Sequence, residues 1–354
     1  MDITKCYGVG WHGMNQDLQH TYSDTIHNKK VAVLGNCPPP LGGVAVHIQR
    51  VIHKLRGQRN RIYHFDSSIR GNHAIYVLRL LFFMLKSKPD VLIYHTVDLN
   101  SRLIEFSLLA WCKRLFRFSF MLVEHNCRHM YARSPEYKKS FNTLMRSVDH
   151  LVLIGHSTHQ SYVDNGIVTH NTLTIEAAFL PPNQRDAEKI IAAYPSDLYR
   201  FIKNHKPLIV MNGFQLTLLE GKDLYGVDLL IQAVNELKKE IPRAGLLCVI
   251  AQVGDRAYFD RIVSQIKSYG IEQDIYFLLD HKELWPLLKM ADLFVRPTLS
   301  DAGPSISVQE ALYFSVPVVA SDASRRPAGA VLFKSGDWRD LFEKIKSVCD
   351  ARGL

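Results

Sequence analysis

Lys29–Asn36, KKVAVLGN, is followed by PPPLGG (38–43) and VAVHIQRVIHKL (44–55), and these three pieces together decide the fold. A short apolar run closed by turn residues reads as a strand buried on both faces. Val46, Val51 and Leu55 then recur at helical spacing, so strand, Gly-rich loop and helix open a βα unit. Further strands are expected at RIYHFD (61–66), Val91–His95, Phe118–His125 and His150–Ile154, and helices at Ala74–Lys86 and Arg102–Leu115. Strands alternating with helices make a parallel sheet covered on both faces.

The alternation stalls at AAFLPPNQRDAEK (177–189), where Pro181 and Pro182 oppose regular structure, and a domain linker is expected there. It resumes with strands at Pro207–Asn212, GLLCVIAQ (245–252), DIYFLL (274–279), ADLFVRP (291–297) and VPVVAS (316–321). Helices are expected at Val227–Lys239, Tyr258–Tyr269, Glu283–Met290, Ser307–Phe314 and Trp338–Val348. The organisation that follows is an extension over 1–28, one Rossmann-like domain over 29–182, a second over 183–337, and a terminal helix over 338–354. At 354 residues and 47% apolar composition, the chain can bury two such cores. Two facing α/β domains set the carboxyl ends of both sheets across a cleft, where open sheets of this class bind ligands, and a nucleotide is the expected occupant.

The net charge of +9 is unevenly placed. The first 180 residues hold 21 Lys+Arg against 12 Asp+Glu, while the remainder holds 22 of each. An excess of this kind favours an anionic partner for the first half, lipid headgroups or phosphates. Nucleic acid would suit the charge, but no recognition motif accompanies it. The six cysteines are too scattered for a metal or disulfide framework. The first thirty residues lack the apolar run of a secretory signal, so a cytoplasmic location is expected.

Residues Arg296–Pro327, RPTLSDAGPSISVQEALYFSVPVVASDASRRP, resemble the donor-binding motif of family-4 glycosyltransferases, retaining enzymes of the GT-B fold. PPPLGGVAVHIQRV resembles their N-terminal Gly-Gly loop, VEHN (123–126) their strand-ending His motif, and LYGVDLLIQAV (224–234) their Lys-Gly-x-Asp-x-Leu-Ile segment. The resemblance runs in family order over residues 30–350. It implies a nucleotide-sugar donor and a saccharide acceptor, often lipid-linked, in bacterial surface-polysaccharide assembly.

Ser305, Ile306 and Ser307 open a helix whose free N–H groups suit a diphosphate, although a helix cap explains the serines equally well. By resemblance Glu310 is the second Glu of the family's Glu-x7-Glu motif and binds the ribose; otherwise it is a dipole-favoured surface acid. The first Glu is missing: ungapped counting lands on Ala302, beside Asp301. Asp301 either supplies that carboxylate or only forms the turn before Ala-Gly-Pro. His125 ends a strand, and the resemblance has it contact donor phosphate or sugar; His95, His129 and His156 are weaker candidates. Gly42 and Gly43 let backbone approach a ligand and adopt positive φ. Gly213 is a further expected donor contact. The family's usual Arg and Lys for the diphosphate are absent from NGFQLTLLEGKDLYGVD (212–228), leaving Lys222 as the substitute. No Asp-x-Asp motif is evident, so neither cofactor nor metal is expected.

The runs AIYVLRLLFFMLKSK (74–88) and LIEFSLLAWCKRLFRF (103–118) mix large apolar residues with cations, of which Arg79, Lys113, Arg114 and Arg117 are candidates for contact with the anionic inner-membrane surface. They are too short and charged to span a bilayer; core helices with snorkelling cations are the alternative. Three functions remain open: a hexosyltransferase, a catalytically weak glycosyltransferase-like subunit that binds and activates a partner, or an epimerase or phosphorylase of similar fold.

Overall fold

A computed structural model of the chain describes residues 21–38, 42–67, 72–96, 103–127, 130–169, 172–176, 179–280, 282–301 and 305–354. The first half forms β1 (Lys30–Leu34), α1 (Gly43–Gly57), β2 (Arg61–Phe65), α2 (His73–Ser87), β3 (Val91–Thr96), α3 (Leu103–Phe116), β4 (Ser119–Glu124), α4 (Pro135–Met145), β5 (His150–Ile154), α5 (His156–Asp164) and β6 (Thr172–Glu176). Its strands pair in parallel in the order β2-β1-β3-β4-β5-β6. Apolar residues along β1, β3 and β4 feed both faces. Ala32, Leu34, Leu92, Tyr94 and Leu122 pack under α2 and α3, whereas Val31, Val33, Ile93 and Val123 pack under α1. Tyr22 and Ile26, within the expected N-terminal extension, join that second cluster, as does Leu180. Residues 1–20 of the extension lie outside the described residues.

The second half begins with α6 (Ala187–Ala192) and α7 (Ser196–Asn204). It continues with β7 (Leu208–Leu216), the hairpin β8 (Leu218–Leu219) and β9 (Lys222–Asp223), α8 (Val227–Glu240), β10 (Gly245–Val253), α9 (Arg256–Tyr269), β11 (Ile275–Leu279), α10 (Trp285–Leu288), β12 (Leu293–Arg296), α11 (Ile306–Tyr313), β13 (Val318–Ser321), β14 (Ala330–Phe333) and α12 (Trp338–Arg352). Its parallel six-stranded sheet has the order β11-β10-β7-β12-β13-β14, with neighbours spreading both ways from β7. Helices α8, α9 and α12 cover one face and α7, α10 and α11 the other. The expected terminal helix is therefore part of this core, with Leu341, Ile345 and Cys349 fully buried.

These two parallel, helix-covered sheets are the GT-B architecture expected from the sequence. Gly226 shows how tightly the second half is joined: it caps α8 at φ 68°, and a Cβ there would meet the Pro297 carbonyl oxygen at 2.3 Å. Only glycine satisfies both demands.

Candidate functional site

Strand ends build the cleft. His125 follows β4, Gly155 follows β5, Arg296 ends β12, and the far half of β7 supplies Asn212, Gly213 and Phe214. With the start of α1 and of α11 they enclose a cavity of about 330 Å³, within the range that holds small ligands. Of the residues expected from sequence, Gly42, Gly43, His125, Gly213, Asp301, Ser305, Ile306, Ser307 and Glu310 all line it.

Gly42 and Gly43 act through space rather than through positive φ. Gly42 has φ −119°, and neither glycine is left-handed. A Cβ on Gly43 would stand 3.3 Å from Ile306 Cδ1, so the bare backbone lets the first half's loop reach α11 of the second. Ser305 occupies the N-cap position of α11 without a side-chain cap; its Oγ instead meets Ser307 Oγ at 2.8 Å. The first-turn N–H groups of α11 are thus not taken up by the Ser305 side chain, and they border the cleft.

Glu310 is 3% exposed and forms a buried ion pair with Arg50 of α1, across 260 residues of sequence. Arg50 also donates to the Leu180 carbonyl at 2.7 Å. Burial raises the Glu310 carboxyl, and Arg50 only partly offsets it. The pair uses Oε1, which leaves Oε2 for a ligand.

Asp301 is committed to two guanidiniums. Arg296 donates from Nη2 to Oδ1 at 2.6 Å and from Nε to Oδ2 at 3.2 Å, and Arg326 donates from Nη1 to Oδ2 at 2.6 Å. Burial pushes its carboxyl up, but the two arginines outweigh burial and hold it below the usual range. Arg296 itself lies over the Tyr225 ring at 5.2 Å and donates to the Asn212 carbonyl at 2.9 Å. The cations that line the cleft from the second half are therefore Arg296 and Lys282. Lys222 is exposed on the β8–β9 hairpin and does not line the cleft, which corrects the expectation that it replaces the missing pair.

His125 is 7% exposed, and its Nε2 sits 3.0 Å from Nδ1 of His95 on β3. His47 of α1 stands edge-on to it, with ring centroids 4.9 Å apart. Burial first, and the neighbouring imidazoles second, hold both His95 and His125 well below the ordinary histidine range, so both are neutral near pH 7. His156 borders a second pocket, which shares Gly155 and Asp301 with the cleft and also contains Asn126, Ser157 and Arg325. His129 and Ala302 lie outside the described residues. Arg50, His47, Arg296, Arg326 and Lys282 were not foreseen as site residues. The available signal was a cation at the end of an apolar strand for Arg296 and a polar residue within an apolar helix pattern for His47 and Arg50; Lys282 and Arg326 lie in loops and carried none.

Arg79 and Arg114 are exposed, as is Arg117 just after α3. Lys113 differs: its ammonium is tied to Asp149 at 2.5 Å and to the Ser147 carbonyl at 2.8 Å. It serves the fold locally through a partly exposed ion pair.

Residues 220–352 match the family model described as "Glycosyl transferases group 1". No curated protein matches the chain. Among solved structures, Anabaena HepE in complex with UDP-glucose is 14% identical, with a TM-score of 0.60 over 91% of this chain and 90% of that one. A glycosyltransferase from Rickettsia africae is 13% identical, with a TM-score of 0.61 over 93% and 90%. A UDP-forming α,α-trehalose-phosphate synthase from Burkholderia xenovorans, in complex with glucose-6-phosphate, is 12% identical, with a TM-score of 0.60 over 90% and 92%. The second half thus carries a glycosyl transferases group 1 domain within a GT-B fold, and the chain is an enzyme of the glycosyltransferase class.

Proposed function

We propose that the chain is a hexosyltransferase that moves a sugar, with retention, from a nucleoside-diphosphate sugar to a lipid-linked saccharide at an anionic membrane surface. The observation that carries this reading is the cleft, which joins the start of α11, Glu310, Arg296 and Lys282 to His125 and the Gly42–Gly43 loop. In the reaction, the bond from the anomeric carbon to the β-phosphate oxygen breaks, a bond to an acceptor hydroxyl oxygen forms, and the hydroxyl proton passes to the departing diphosphate. Negative charge grows on the departing diphosphate, where the α11 N–H groups, Arg296 and Lys282 stabilise it. Glu310 Oε2 accepts from the ribose, and His125 donates to the sugar. Its Nε2 faces His95, so Nδ1 is the nitrogen left for that contact. Asp301 holds Arg296 and Arg326 in place rather than acting on the sugar. The acceptor enters through the adjoining pocket of about 680 Å³. Retention and surface-polysaccharide assembly come from the family resemblance.

Membrane contact is supported by helices α2 and α3. They lie side by side on one sheet face, bridged by Tyr76 Oη donating to Glu105 Oε1 at 2.7 Å. Each turns an apolar row outward: Ile75, Leu78, Phe82 and Leu85 on α2, and Ile104, Trp111 and Leu115 on α3, with Arg79 and Arg114 among them. Contiguous exposed apolar surface beside cations suits a lipid interface. Among the described residues no helix is long and apolar enough to cross a membrane, so the proposed association is peripheral, on the cytoplasmic face.

One observation favours the alternative of a weakly catalytic, partner-activating subunit: Glu310 and Asp301 are both engaged by arginines. A single experiment separates the two readings. Nucleotide sugars, UDP-sugars first, are screened by thermal shift and by diphosphate release. A donor at a hundred times its Kd stabilises the fold by about 2.7 kcal/mol. Stabilisation with turnover supports the transferase; the absence of any shift or release across donors refutes it.

A further inference from the structure

His47, His95 and His125 come from α1, β3 and the residue after β4, and all three are buried. One ring nitrogen of each lies within 4.8 Å of the others. The 3.0 Å between His95 Nδ1 and His125 Nε2 is already close to ligand spacing. Two nitrogens at 2.0–2.1 Å from a tetrahedral ion stand about 3.3 Å apart, so an ion entering between them opens that edge by only a few tenths of an ångström. Tyr22 Oη lies 3.4 Å from His47 Nε2, a contact that helps to fix the orientation of that ring.

From this geometry we infer that His47, His95 and His125 bind one divalent transition-metal ion of the zinc class. Three imidazoles select zinc, cobalt, nickel or copper over magnesium or calcium, which take oxygen ligands. The site shares His125 with the donor chemistry proposed above, while His47 and His95 take no part in that chemistry. An ion on Nε2 fixes the proton of that ring on Nδ1, so His125 presents an N–H donor to the cleft and never an acceptor. The residues are 48 and 30 positions apart, which is why no spacing motif announces them.

The test uses the full chain, stripped with chelator and titrated with Co²⁺ alone. One equivalent should bind and give a visible d–d absorption, which Zn²⁺ should abolish by displacement. X-ray absorption of that complex should show three imidazole ligands. His47→Gln and His95→Gln should each weaken binding by at least about 100-fold, with circular dichroism confirming the fold. His53→Gln, on the exposed side of α1, should bind as the parent does. Failure of the parent chain to retain Co²⁺ overturns the site, as does a complex with fewer than three imidazoles. So does binding that survives both His47→Gln and His95→Gln, because the ion then sits on other histidines. If a variant does not fold, the parent titration and its X-ray absorption decide alone. Donor turnover enters none of these readouts, so the inference fails or stands apart from the transferase reading.

Discussion

Replacing Arg50 by Met removes the cation paired with Glu310 while keeping most of the apolar stem. Arg50 is 9% exposed and Glu310 3%, so the carboxylate has little water to turn to. Breaking a buried pair by deleting one partner costs about 3–5 kcal/mol. Burial already raises the Glu310 carboxyl against the pull of Arg50, and without Arg50 it rises further. A group whose folded pKa is raised contributes stability that is complete below its unfolded value and lost as pH rises toward the folded one. The deficit of Arg50→Met should therefore be largest near pH 8 and shrink on acidification toward 5, by at most about 1.4 kcal/mol per unit. Urea unfolding followed by the four tryptophans, at pH 8, 7 and 5.5, measures this directly. Arg50→Met/Glu310→Gln should recover most of the loss, because a neutral polar group replaces a stranded charge. A single-variant cost below about 1 kcal/mol, a deficit that ignores pH, or a double variant equal to the sum of the singles would refute the buried-pair reasoning.

Central strands were legible because a strand covered on both faces is a continuous apolar run: KVAVL, VLIYHT and GLLCVIAQV announce themselves. Four strands were missed: the two-residue hairpin strands β8 and β9, too short for any periodicity to show, and β6 (TLTIE) and β14 (AVLF). β6 and β14 are edge strands, half-buried or exposed along most of their length, and so lack that run. The helix expected over Glu283–Met290 shrinks to the single turn α10, with Pro286 in its first turn. Strand order was not legible, since it depends on pairings between distant segments. The same division holds in the site. Gly42, Gly43, His125, Ser305, Ser307 and Glu310 stand at element ends inside local motifs, so their placement could be read. Arg50 and Arg326 acquire meaning only from carboxylates 260 and 25 residues away, and Lys222 was misplaced because a short hairpin carries it off the cleft.

Asp301→Asn should weaken the hold on Arg296 and Arg326, whose side chains are 9% and 1% exposed, and cost about 3 kcal/mol in urea unfolding. A loss under about 1 kcal/mol would mean that the two guanidiniums find other partners. Glu310→Ala should abolish or severely reduce sugar transfer; activity near that of the parent would remove Glu310 from the donor site. His95 is neutral when folded, with its pKa held below the unfolded value of 6.5, so it lends stability that is present above pH 6.5 and lost as pH falls. Between pH 6 and 5, in chelator, the parent should lose up to about 1.4 kcal/mol per unit more than His95→Gln; equal slopes would show that His95 titrates normally. The apolar rows of α2 and α3 give the last expectation. Phe82 is 67% exposed and Trp111 52%, so Phe82→Ser and Trp111→Ser touch little of the core and should shift stability by no more than about 0.5 kcal/mol. If both rings enter lipid, each withdraws apolar surface worth roughly 1.5 kcal/mol or more, which is about a tenfold loss of binding to anionic vesicles per variant. Arg79→Glu with Arg114→Glu and Arg117→Glu should weaken the same binding in a salt-dependent way, since exposed charges are screened over about 10 Å at 0.1 M salt. Lys113→Glu should act on folding instead, through Asp149. Vesicle binding that tolerates all five substitutions at Phe82, Trp111, Arg79, Arg114 and Arg117 would mean that this face meets something other than lipid, and the acceptor would then be sought among soluble saccharides.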